Sequence, residues 1–247
     1  MLIKAKLNYS PNFSSKKRSF NKIKFIVFHY TGMKKESEAI TRLTEIQSEV
    51  SCHYLIKKNG EIIRMVPESF IAWHAGKSYW RNHKSLNQNS IGVEITNPGH
   101  QYNYKKFTKK QINALLKLSR YLIKKYKINP KNILGHSDIA PARKKDPGEK
   151  FPWQYLAKQK VGIWHTIKKH KLIKCRKIKT TKTDKNLFIN NLFKIGYHKK
   201  LLRSSSREEY INHITKAFQR RYRQDLVDGK IDQECLLISQ NLIQKFY

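Results

Sequence analysis

Three residues whose types suit metal chemistry stand at strand ends or in a stiff loop. His29 closes the apolar run Lys24-Phe25-Ile26-Val27-Phe28, His136 follows Asn132-Ile133-Leu134-Gly135, and Asp146 lies in a loop with Pro141, Pro147 and Gly148. Two imidazoles and one carboxylate leave a fourth tetrahedral position for water, the arrangement of a catalytic rather than a structural zinc site. A lone histidine is more often a hydrogen-bonded structural residue, and the chain has ten, so spacing alone makes the metal reading suggestive and no more.

The elements that must hold these residues follow from periodicity. Residues 24–29 form a short branched and aromatic run that reads as a buried strand delivering His29 at its end. Ser37 is placed to cap a helix through Ala39, Ile40, Leu43 and Ile46. Tyr54-Leu55-Ile56 and Ile62-Ile63 flank Asn59-Gly60, a hairpin signal, so two strands are expected to be antiparallel. Ser90-Ile91-Gly92-Val93-Glu94-Ile95 reads as another strand. Thr108 and Gln111 make a capping box before Ile112, Leu115, Leu116, Ser119, Leu122, Ile123 and Tyr126, a long amphipathic helix stopped by Pro130. The expected fold is α/β: a mixed sheet flanked by helices, with the metal site at the strand ends.

Composition bounds the partners. With 52 Lys and Arg against 17 Asp and Glu, the formal charge is +35, which calls for an anionic partner (nucleic acid, an acidic membrane surface or a carboxylate-bearing polymer) or else a merely solvated basic surface. No zinc-finger spacing or ribonucleoprotein motif supports specific nucleic-acid reading. Cys52, Cys175 and Cys235 are isolated, with no disulfide framework or thiolate knuckle. No run approaches a membrane span, and the N-terminus lacks the apolar core of a secretory signal, which by default suggests the cytoplasm.

Residues 158–185 carry eleven Lys or Arg and one Asp, with little apolar periodicity towards their end. The expected organisation is a catalytic domain over 1–160, a flexible basic linker over 161–185 and a helical unit over 186–247. In the last, Leu187 to Phe193, Ile211 to Tyr222 and Leu236 to Ile243 give three amphipathic helices, the third capped by Asp232 after an Asp228-Gly229 turn.

The segments Ile26-Val27-Phe28-His29-Tyr30-Thr31-Gly32, Ser90 to Ile95, and Gly135-His136-Ser137-Asp138-Ile139-Ala140-Pro141-Ala142-Arg143-Lys144-Lys145-Asp146-Pro147-Gly148 closely resemble the AmpD/AmiD branch of N-acetylmuramoyl-L-alanine amidases. That branch belongs to a superfamily with phage-lysozyme amidases and peptidoglycan-recognition proteins. The resemblance implies a Zn2+ site of His29, His136 and Asp146, with Glu94 and Lys144 as the catalytic pair. Other members carry cysteine where Asp146 stands.

The implied reaction is hydrolysis of the amide between N-acetylmuramic acid and L-alanine. Glu94 suits the general base, and Lys144 suits stabilisation of charge on the carbonyl oxygen. Tyr30, Asn97 and Arg143 adjoin these residues and are expected substrate contacts, Arg143 for a peptide carboxylate. His74, in Trp73-His74-Ala75-Gly76, resembles a substrate-groove segment of the family. For His53, packing is an equal reading. The tail, through Leu192 to Tyr197, Ala217 to Tyr222 and Asp228 to Asp232, resembles the peptidoglycan-binding domain of AmiD-type amidases.

These expectations describe a monomer acting on peptidoglycan or its muropeptide fragments. A non-catalytic recognition protein of the same fold is the alternative, disfavoured because such a receptor has no need of Glu94 and Lys144. A wall-binding tail points to the periplasm, against the missing signal.

Overall fold

The computed structural model describes residues 3–199 and 206–247. Its centre is a six-stranded sheet of β1 (Lys6–Leu7), β2 (Phe25–Tyr30), β3 (Tyr54–Ile56), β4 (Ile62–Arg64), β5 (Ser90–Ile95) and β6 (Ile133–Gly135). The strand order is β1-β4-β3-β5-β2-β6. The β3–β4 pair is antiparallel and the other pairs are parallel, so the sheet is mixed as expected. Tyr54 pairs with Arg64 and Ile56 with Ile62, with Gly60 at φ +86° in the connecting loop.

The helices are α1 (Glu36–Thr44), α2 (Lys109–Tyr126), α3 (His136–Ile139), α4 (Trp153–Lys158), α5 (Lys169–Arg176), α6 (Lys182–Ile195), α7 (Arg207–Tyr222) and α8 (Gln233–Phe246). At the start of α2 the Gln111 amide N–H donates to Thr108 Oγ1 (3.1 Å), and the Thr108 N–H donates to Gln111 Oε1 (3.0 Å), the reciprocal box read from sequence. Ser37 is not the cap of α1. The cap is Lys35, two residues earlier, where Glu38 reaches back to accept from the Lys35 N–H at 3.2 Å.

Alternation along β2 explains two apolar cores, one on each face. Ile26 and Phe28 face α2 and pack with Ile91, Val93, Ile95, Leu115 and Leu118. Phe25 and Val27 face the opposite side, where they share a core with Leu134, Ile139, Phe188, Leu192, Ile214, Phe218 and Leu242. The C-terminal helices therefore cover the β2–β6 part of the second face, while Leu55 and Ile63 on its β3–β4 part pack with Leu43, Cys52 and Met65.

The expected basic linker is folded against the body. Val161, Ile163 and Leu172 are buried, and α5 packs on α8, held there by Arg176, whose Nε donates to Glu234 Oε2 at 2.5 Å. The sequence reading missed this helix because seven residues of its eight, all but Leu172, are not buried, which leaves almost no apolar stripe to see. The remaining three helices form as expected, with the Cys235 N–H donating to Asp232 Oδ1 at 2.9 Å.

Candidate active site

His29 and Glu94 are register partners on the adjacent parallel strands β2 and β5, so their side chains leave the same face of the sheet. This is the face of Phe25 and Val27, beyond the edge of the C-terminal cover. His136 opens α3 directly after β6, and the Ser137 N–H donates to the Asp146 carbonyl at 2.9 Å, which ties the two remaining segments together.

Here His29 Nδ1, His136 Nδ1 and Asp146 Oδ2 converge, with separations of 2.9, 3.0 and 3.0 Å. All three residues are buried, and their donor atoms form a group able to hold a metal ion.

The surrounding hydrogen bonds assign the protons. Ser90 donates its hydroxyl to the Leu86 carbonyl (2.5 Å) and is left to accept from His74 Nε2–H (3.1 Å). His74 Nδ1 then accepts from His29 Nε2–H at 3.0 Å, which leaves His29 Nδ1 as a bare lone pair. On the other side His136 Nε2–H donates to the Ala75 carbonyl at 3.2 Å, so His136 Nδ1 is bare as well.

Burial, and His136 beside it, push His29 down to about 4, so it is neutral near pH 7. Burial alone would raise Asp146, but His136 and His29 outweigh it and hold the carboxyl below the usual range. Three electron-pair donors thus face one another with no proton between the imidazoles. A tetrahedral ion bonded at about 2.0–2.1 Å needs donor separations of roughly 3.3 Å, which a shift of a few tenths of an ångström supplies. The donor set fits a small divalent cation.

Glu94 is half-buried beside this cluster, and its Oε2 is buried without a hydrogen-bond partner. Burial and the neighbouring Asp146 charge push its carboxyl up to about 8, with Lys144 opposing them. Glu94, Lys144, Arg143 and Tyr30 line one cleft of about 830 Å³ with His136, Asp146, Trp73 and Tyr102.

Two expected substrate contacts make hydrogen bonds within the protein. Asn97 is buried, its Nδ2 donating to the Lys105 carbonyl (2.8 Å) and its Oδ1 accepting from the Gly99 N–H (3.1 Å), so its amide shapes a loop. His74 borders the cleft, and its two ring nitrogens are engaged by His29 and Ser90, so it braces His29. A Cβ on Gly92 would lie 2.3 Å from the His74 ring, so that glycine makes the room. His53 is buried, with Nδ1 accepting from the Gly92 N–H at 3.0 Å. Arg143 faces the cleft while its NH2 donates to the carbonyls of Ala75 (2.9 Å) and Lys77 (3.1 Å). Tyr30 shares its hydroxyl with His100 Nδ1 at 2.8 Å.

Sequence reasoning missed Ser90 as a proton-ordering group and Tyr102 as an exposed cleft wall, whereas Trp73, in the segment read as a substrate groove, does line the cleft. Ser90 opens the strand that carries Glu94, the one available hint.

A family model described as N-acetylmuramoyl-L-alanine amidase matches residues 19–149, more than half of the chain. The chain belongs to the N-acetylmuramoyl-L-alanine amidase family. Among particular relatives, it is 37% identical to the N-acetylmuramoyl-L-alanine amidase AmiD of Escherichia coli over 92% of this chain and 85% of that protein. It is 40% identical to the 1,6-anhydro-N-acetylmuramyl-L-alanine amidase AmpD of Haemophilus influenzae, over 46% of this chain and 61% of that one.

The solved structure of E. coli AmiD with anhydro-N-acetylmuramic acid-L-Ala-D-gamma-Glu-L-Lys superposes with a TM-score of 0.79 at 34% identity, covering 94% of this chain and 93% of that one. AmpDh3 of Pseudomonas aeruginosa with an anhydromuramic pentapeptide gives 0.78 at 29% identity, with 94% of each chain covered.

Proposed function

We propose that the chain is a zinc-dependent amidase that cleaves the bond between N-acetylmuramic acid and L-alanine, with anhydro-muropeptides among its substrates. The carrying observation is the trio of bare donor atoms, His29 Nδ1, His136 Nδ1 and Asp146 Oδ2, facing one another beside a carboxylic acid at the head of a cleft. His29, His136 and Asp146 would hold the ion. When bound, zinc supplies Lewis acidity that acidifies water and polarises a carbonyl.

The chain's own groups supply the rest. Glu94, opposite His29, takes the proton of the attacking water and returns it to the leaving amine, a role suited to a carboxyl held near neutrality by burial. Lys144 offers an ammonium where negative charge develops on the carbonyl oxygen. Arg143 keeps guanidinium donors towards the cleft for a stem-peptide carboxylate, while Tyr30, Trp73 and Tyr102 wall it for the sugar. The helical unit from residue 186 onwards is read as a second contact to the polymer.

The test is incubation with a purified anhydro-muropeptide, with separation of the free peptide and its new L-alanine amino terminus. Release that stops on chelation and returns with zinc is the expected result. Release of peptide at full rate from metal-free protein overturns the zinc reading, and cleavage at another bond overturns the substrate reading.

A further inference from the structure

We propose that the C-terminal helices belong to the metal centre itself, because Arg221 and Tyr197 clamp Asp138 and thereby set the position of His136. This rests on the zinc reading above.

Arg221 lies on α7 and reaches β6 and α3 from a distant part of the chain. Its NH1 donates to Asp138 Oδ2 at 2.6 Å and its NH2 to the Ile133 carbonyl at 2.8 Å. Those two anchors bracket His136 along the chain. Asp138 Oδ2 also accepts from the Gly135 N–H at 2.8 Å, the residue immediately before the ligand, and Asp138 Oδ1 accepts from the Tyr197 hydroxyl at 2.9 Å.

The side chains of Arg221 and Asp138 are 3% and 1% exposed, so neither charge has water as an alternative partner, and one geometry is strongly preferred. The guanidinium is wedged 4.6 Å from the Trp153 ring centroid and 5.0 Å from that of Tyr222, which leaves it little rotamer freedom. Tyr197 is fixed in turn against Trp80, with centroids 5.1 Å apart. The Ser137 N–H on the Asp146 carbonyl carries any displacement of α3 to a second ligand. Arg221 and Tyr197 are therefore positioning residues: they touch no reacting atom, and they act through Asp138 on the spacing of the donor atoms.

The test uses the full-length chain with zinc affinity as its readout, measured by competition with a chromophoric chelator at a temperature where every variant is folded. Loss of an outer-sphere partner typically lowers metal affinity about 10–100-fold. Arg221→Met is expected to fall in that range, and Tyr197→Phe, which removes only a hydroxyl, to show a smaller loss in the same direction. With Asp138→Asn, the Arg221→Met effect should be strongly non-additive, since both break one contact. Phe188→Ala is the control: it removes apolar cover from the same helical unit, lowers the melting temperature, and should leave zinc affinity at the parent value.

Parent-like affinity in both Arg221→Met and Tyr197→Phe overturns the clamp, as does an equal loss in Phe188→Ala. Should Arg221→Met not fold, the Tyr197→Phe result decides. A parent protein that holds no zinc overturns the metal reading and the clamp with it.

Discussion

His29 and Glu94 stand directly opposite each other on neighbouring parallel strands, so the proposed metal ligand and the proposed base are held by one backbone register. Replacing Glu94 should leave the donor trio in place. Glu94→Gln is expected to keep its zinc by elemental analysis and to lose about 10²–10⁴ in turnover of muropeptide, the usual contribution of a positioned general base. A variant with parent turnover would put the base elsewhere, and one without zinc would make Glu94 part of the metal's support.

The same carboxyl gives the metal-free protein a pH signature. Burial raises its folded pKa from the ordinary 4.5 to about 8, so the stability it contributes is fully present below 4.5 and is lost as pH rises through 8. His29 shifts the other way, from 6.5 to about 4, so its contribution is present above 6.5 and is lost as pH falls through 4. The thermal midpoint of Glu94→Gln relative to the parent should therefore improve steadily as pH rises from about 4.5 to about 8. A constant offset from pH 5 to 9 would contradict the burial of this acid.

Gly92 is the least conspicuous determinant of the site. A Cβ there would fall 2.3 Å from His74 Cγ, and His74 is what leaves His29 with a bare Nδ1. Gly92→Ala is expected to displace that ring and lower zinc affinity by about 10-fold or more, as other losses of a histidine's outer partner do. Titration against a chelator measures this directly, and an unchanged affinity would show that His29 is oriented by its strand alone.

Local features of this fold were legible because local rules suffice for them. Alternation along residues 24–29 puts His29 on the side of Phe25 and Val27, and the box of Thr108 with Gln111 starts α2 where it was expected. Pairwise contacts were not. Asn97 adjoins the catalytic strand in sequence, but its amide turns into its own loop. In a chain with 52 Lys and Arg, no local pattern marks Arg221 as the one buried against Asp138, because the partner lies 83 residues away. The basic run before the tail looked like a tether because charge density resembles flexibility when the buried face of a helix is reduced to one leucine.

Removing residues 182–247 tests the arrangement most severely. A tail acting only as a tether would leave turnover of soluble muropeptide intact and reduce activity only on insoluble wall, by loss of effective concentration. The packing argues for a different outcome. Truncation uncovers Phe25, Val27 and Leu134 on the β2–β6 part of one face of the sheet, and it leaves Asp138 buried without Arg221 or Tyr197. Stranding one member of a buried ion pair costs about 3–5 kcal/mol, a large share of the roughly 5–15 kcal/mol that holds a typical domain folded. The truncated chain is therefore expected to lose zinc and soluble-substrate activity together, and to unfold at a much lower temperature. Full turnover of soluble muropeptide with an unchanged melting temperature would instead show that the sheet does not need its second cover, and would return the helices to a purely tethering role.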